Sequence, residues 1–102
     1  MQRTMMVKVG LAGLLLAVTQ VSFAYTGDQY ASKAAIRIEQ ARTIALKAHP
    51  GKITDEELEY EKGGSGLRYS FDIVSHGDKQ EVGVDAKTGK VLENRPESEE
   101  MD

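Results

Sequence analysis

Ile38, Ala41, Ala45 and Ala48 recur at the spacing of one helical face, while Glu39, Gln40, Arg42, Thr43 and Lys47 fall on the other side and Ile44 and Leu46 flank the stripe. Apolar residues spaced this way stack along one side of a 3.6-residue turn, so the pattern predicts one amphipathic helix of about three turns. Ile36 is out of that phase and suits an extended residue stapling against the first turn. Pro50 lacks an N–H and disfavours helical geometry at His49, and Gly51 follows, so the helix is expected to stop near Ala48.

Beyond this break the period changes to 2, the mark of strands with one buried face. Leu58 and Tyr60 alternate with Glu57, Glu59 and Glu61; Leu67, Tyr69, Phe71 and Ile73 alternate with Arg68, Ser70 and Asp72; Val82 and Val84 alternate with Glu81, Gly83 and Asp85. Gly63-Gly64-Ser65-Gly66 and His76-Gly77-Asp78 supply the intervening turns, and Asp85 to Lys90 reads as a further turn with Gly89 left-handed, returning into Val91 and Leu92. The predicted fold class is α+β in two layers. One helix packs on a three- to four-stranded antiparallel sheet through Leu58, Tyr60, Tyr69, Phe71, Ile73, Val82 and Val84. The far side of the sheet carries Glu57, Glu59, Glu61, Arg68, Ser70, Asp72, Glu81 and Asp85; it is expected to face water, with at least one sheet edge open.

The two ends read differently. Arg3 and Lys8 precede an apolar run from Val9 to Val18, and Ser22 and Ala24 place small residues three and one before Tyr25, the layout of a secretory signal peptide cleaved between Ala24 and Tyr25. The run is shorter than the roughly 20 residues that span hydrocarbon, so no stable membrane insertion is expected after cleavage. The chain has 102 residues with 13 Lys plus Arg against 16 Asp plus Glu. Losing Arg3 and Lys8 with the leader moves the net charge from −3 to −5. Residues 25–35 are small and polar and read as a flexible lead; residues 36–93 form the domain; residues 94–102 lack apolar content and read as a disordered acidic tail. Periplasmic or secreted localisation follows.

Composition narrows the chemistry. The absence of Cys excludes disulfides, thiolate metal sites and a cysteine nucleophile. The acidic balance argues against a nucleic-acid partner, which needs a basic stripe. His49 and His76 have no sequence neighbours that would make a general base, so no catalytic residue is assigned. Ser65 sits between strands rather than on a strand-to-helix elbow. Lys87-Thr88-Gly89-Lys90 lacks the first glycine and following hydroxyl of a phosphate loop, so no cofactor is expected. The carboxylates from Asp55 to Glu61 show no calcium-loop spacing, and no metal site is assigned. Asp85, Thr88 and Gly89 are read as a structural turn, since Asp and Thr bond nearby amides there and Gly supplies the positive φ.

Together the helix Ile38 to Leu46, the break His49-Pro50-Gly51-Lys52-Ile53, the strands at Leu58-Glu59 and Tyr69 to Ile73, and the run Val82-Gly83-Val84-Asp85-Ala86-Lys87-Thr88-Gly89-Lys90-Val91-Leu92 resemble the PepSY domain of peptidase propeptides and a spore-germination protein. The last run is the most specific. The resemblance spans about Ile36 to Leu92 and implies a helix packed on an antiparallel sheet with a non-catalytic role. It also implies a small free-standing exported member whose partner is another extracytoplasmic protein, a protease among the candidates. No protease domain follows in this sequence, so inhibition or regulation would act in trans, through the sheet edge or its polar face. The expected partner-binding residues are Glu57, Glu59, Glu61, Arg68, Ser70, Asp72 and Glu81. The alternative from another class is a periplasmic protein that binds a small ligand or divalent cation on the acidic face.

Overall fold

The computed structural model of the chain describes residues 24–98. The leader assigned to residues 1–24 therefore lies outside the described residues but for Ala24, as does the end of the acidic tail. Helix α1 spans Ile38–Ala48, and the strands are β1 (Lys52–Tyr60), β2 (Leu67–Ser75), β3 (Asp78–Asp85) and β4 (Val91–Pro96). The Gln40 side chain accepts the Arg37 amide at 3.0 Å and closes the start of α1. At its other end His49 turns extended, ahead of Pro50.

The strands form an antiparallel meander in sequence order, joined at each step to their chain neighbours. β2 passes to β3 through His76 and Gly77, both at positive φ (53° and 83°). That is the sense of a two-residue hairpin turn whose twist matches the strands it joins. β1 carries an irregularity between Ile53 and Asp55, and β4 another opposite Gly83 and Val84.

On one side of the sheet Leu58, Leu67, Tyr69, Phe71, Ile73, Val82 and Val84 are buried beneath Ile38, Ala41 and Ala45 of α1. Alanines at the helix contact bring the helix close to the aromatic rings, and Tyr69 and Phe71 stack at 6.4 Å between centroids. The Tyr69 hydroxyl donates to the Ile36 carbonyl at 2.8 Å, so the ring's one polar atom is satisfied. Burial, then the neighbouring Tyr25, pushes the Tyr69 phenol up to about 12.

Three expectations need correction. Tyr60 shares a face with Leu58 but is 59% exposed. α1 packs over β2 to β4, and β1 is instead covered by a 3-10 helix, Asp28–Lys33, whose Tyr30 meets Tyr60 edge-on at 5.0 Å. The stretch read as a flexible lead thus holds that helix, with Thr26 paired to β1 before it, and the amides of Ala35 and Ile36 both donate to the Ala86 carbonyl (2.9 and 3.0 Å). The stretch read as a disordered tail from residue 94 instead continues β4 to Pro96. An edge strand needs no alternating apolar face, and the irregularity at Leu92 breaks the period that would have signalled it.

Candidate binding surface

The register sets the polar face of the sheet in three rows. Asp55, Asp72, Glu81 and Arg95 stand opposite one another across the four strands; Glu57, Ser70, Gly83 and Glu93 form the next row; Glu59, Arg68 and Asp85 the third. This face was expected to be solvated throughout, and at its centre it is not: Arg68, Ser70 and Asp85 are buried. Gly83 is the reason for the first. A Cβ there would come within 3.2 Å of the Arg68 guanidinium, so its absence leaves a floor on which the side chain lies flat. Arg68 donates to Glu93 at 3.2 Å and to the Lys62 carbonyl at 2.9 Å, with Glu61 4.0 Å from its Nε. Glu93 also accepts from Arg95 at 2.9 Å. Ser70 is covered because its hydroxyl donates to Glu59 at 2.7 Å.

Asp85 anchors a second polar knot. Its carboxylate accepts the Ser65 amide (2.6 Å), the Ser65 hydroxyl (2.8 Å) and the amides of Lys87 (2.8 Å) and Thr88 (3.1 Å). Burial alone would push this carboxyl up, but those donors outweigh it and hold the pKa at about 2. The Thr88 hydroxyl accepts the Lys90 amide at 3.2 Å, and Gly89, at φ 80°, donates its amide to the Asp85 carbonyl at 2.9 Å. The four-residue 85–88 stretch and the 63–66 loop, 20 residues apart, are thereby tied together by one carboxylate.

Of the expected partner-binding residues, Glu57, Glu59, Asp72 and Glu81 are half-buried and Glu61 is exposed, while Arg68 and Ser70 are buried. Sequence reasoning missed Glu93 and Arg95 as members of the face, because both were assigned to the end of the domain or the tail. It also missed Ser65 as the partner of Asp85. The only available signal was Gly83 itself, a glycine in mid-strand, which marks close approach.

The two sheet edges differ. At β1 the Leu58 amide donates outward to the Thr26 carbonyl at 2.8 Å, so part of that edge is occupied. At β4 no backbone partner lies on the outer side among the described residues. The Asp85 amide bonds the Lys90 carbonyl and the Ala86 amide bonds Leu67, so the alternation turns Gly83 and Glu81 toward β4. Glu93 and Arg95 then face β3, and the main chain of Asn94 faces away from the sheet.

His49 and His76 line one open depression of about 770 Å³, and a second of about 610 Å³ runs beside Thr26 and β1, flanked by Arg42. Arg42 grips Glu56 through two bonds of 2.9 Å, which raises its pKa. No group of three or more metal-capable side chains occurs among the described residues, and no helix there is long and apolar enough to cross a membrane.

The described residues thus form a two-layer α+β domain, one α-helix on an antiparallel meander, whose buried polar side chains Arg68, Ser70 and Asp85 are committed to neighbouring side chains and turns. Residues 35–95 match the PepSY family, described as the peptidase propeptide and YPEB domain, and the chain belongs to that family. No curated protein and no solved structure matches it. Membership supports a non-catalytic, protein-binding role.

Proposed function

We propose that this is an exported protein, processed between Ala24 and Tyr25, that binds another extracytoplasmic protein in trans by taking an extended segment of it along β4. A protease is the foremost candidate partner. The observation that supports this reading is the outer edge of β4, whose main chain at Asn94 has no strand beside it among the described residues while the β1 edge is partly occupied. An added strand takes affinity from main-chain hydrogen bonds and selectivity from the side chains that flank it, here Val91 on the helix side and Glu93 and Arg95 on the polar side.

A photocrosslinking side chain placed at Asn94, and separately at Thr43 on the exposed side of α1, tests it in the native envelope. Adducts from Asn94 and none from Thr43 are expected; adducts from Thr43 alone would overturn the edge assignment. The cation-binding alternative would draw on the acidic residues of the polar face, which form no group of three or more metal-capable side chains among the described residues. Calorimetry with calcium, magnesium, zinc and copper is expected to give no saturable heat.

A further inference from the structure

The residues that follow the Ala24–Tyr25 bond are built into the domain. The Tyr25 carbonyl accepts the Asp28 amide at 3.1 Å, which closes a turn, and the Thr26 carbonyl accepts the Leu58 amide at 2.8 Å. Gly27 sits at φ 87°, and its carbonyl accepts the Tyr30 amide at 2.9 Å. A Cβ at Gly27 would overlap the Leu58 carbonyl, so the segment lies flush against β1 and only glycine fits. The Tyr25 ring packs 6.4 Å from that of Tyr69, the central aromatic of the core. Ala24 itself is exposed.

A processing protease takes its substrate as an extended strand on both sides of the scissile bond and pairs with the substrate's own N–H and C=O groups. In the folded domain the three residues after the bond have those groups in a turn and on β1, and Gly27 has left-handed geometry. The bond can be presented only if the strap from Tyr25 to Gly27 peels away from β1 and its ring leaves Tyr69. Cleavage of a folded chain then proceeds only through that open form.

We infer that the leader is removed faster from the open chain than from the closed domain, so that processing runs ahead of folding. This inference rests on the export reading above. A route that carried the folded domain with its leader attached would deliver a precursor resistant to cutting.

The test uses full-length chain and purified signal peptidase in detergent, with N-terminal sequencing to locate the cut. Three substrates are compared: the folded wild-type precursor, an unfolded Phe71→Asp precursor, and a folded precursor with a spacer of about eight Gly and Ser residues between Ala24 and Tyr25. Folding of the first and last is verified by circular dichroism. The folded wild type is expected to be cut at least about tenfold more slowly than either of the others. Cutting of the folded wild type after Ala24 as fast as the spacer variant would overturn the inference. If the unfolded Phe71→Asp chain is not cut after Ala24 at all, the leader assignment fails and takes the inference with it.

Discussion

The two faces of the sheet are held together by different physics. On the helix side, apolar side chains contribute in proportion to the area they remove from water, and neighbours can shift a little without breaking anything. On the polar side, stability is concentrated at two charged groups, Arg68 and Asp85, each fixed by directed bonds, of which Arg68 to Glu93 and Ser65 to Asp85 join stretches distant in sequence. The first face tolerates chemically similar replacements; the second is sensitive to single atoms, because a buried polar group that loses its partner keeps its full desolvation cost.

The largest expected loss lies in the core. Phe71→Ala, at a fully buried position, should cost about 3–5 kcal/mol in denaturant unfolding, a large share of what any domain of this size has. If Asp85→Asn cost as much, the polar face would be no lesser partner; the expected loss is about 2 kcal/mol, since the amide keeps one acceptor oxygen for the four donors.

The same group predicts acid sensitivity. The Asp85 carboxyl titrates near 2 in the folded chain against 3.8 unfolded. Its contribution is therefore present above 3.8 and is lost as pH falls from about 4 toward 2, amounting to about 2 kcal/mol. Unfolding curves collected across that window should show the loss in wild type and a flatter profile in Asp85→Asn.

Gly83→Ala should cost about 1 kcal/mol, by pressing on the Arg68 guanidinium and the Glu93 Cβ, which would have to give by a few tenths of an ångström. Last, Tyr60→Ser should change stability by less than about 1 kcal/mol, because its ring is largely exposed and, among the described aromatics, pairs with Tyr30 alone. A larger effect would mean that the 3-10 helix over β1 holds the sheet more firmly than its lack of buried residues suggests.

Where alternation or helical spacing is local, the sequence was readable. Ile38, Ala41 and Ala45 on the helix and Leu58, Tyr69, Phe71, Ile73, Val82 and Val84 on the strands occupy the face their period assigned. The polar face was readable as a set of residues but not as an arrangement. Arg68 is buried only because Gly83, on the neighbouring strand, and the Lys62 carbonyl, across the hairpin, meet at one place, and no spacing along the chain encodes that meeting. Tyr60 had the right phase and the wrong burial, since the period reports which way a side chain points and not whether the helix reaches that far. β4 was cut short for a related reason: an extra residue at Leu92 shifts the pattern, and Glu93, Asn94 and Arg95 after it are polar.

The double acceptance at the Ala86 carbonyl has a consequence in time. Every strand pairs with its chain neighbour, so the meander can assemble through short loop closures and low contact order. Joining the segment before α1 to Ala86 spans some 50 residues and needs the turn after β3 to exist first. The amides of Ala35 and Ile36 should therefore gain exchange protection later than those of β2 and β3 in pulsed hydrogen exchange during refolding. That interval, between a formed sheet and a docked N-terminal strap, is the period in which a partly built domain would still offer the proposed leader to be cut.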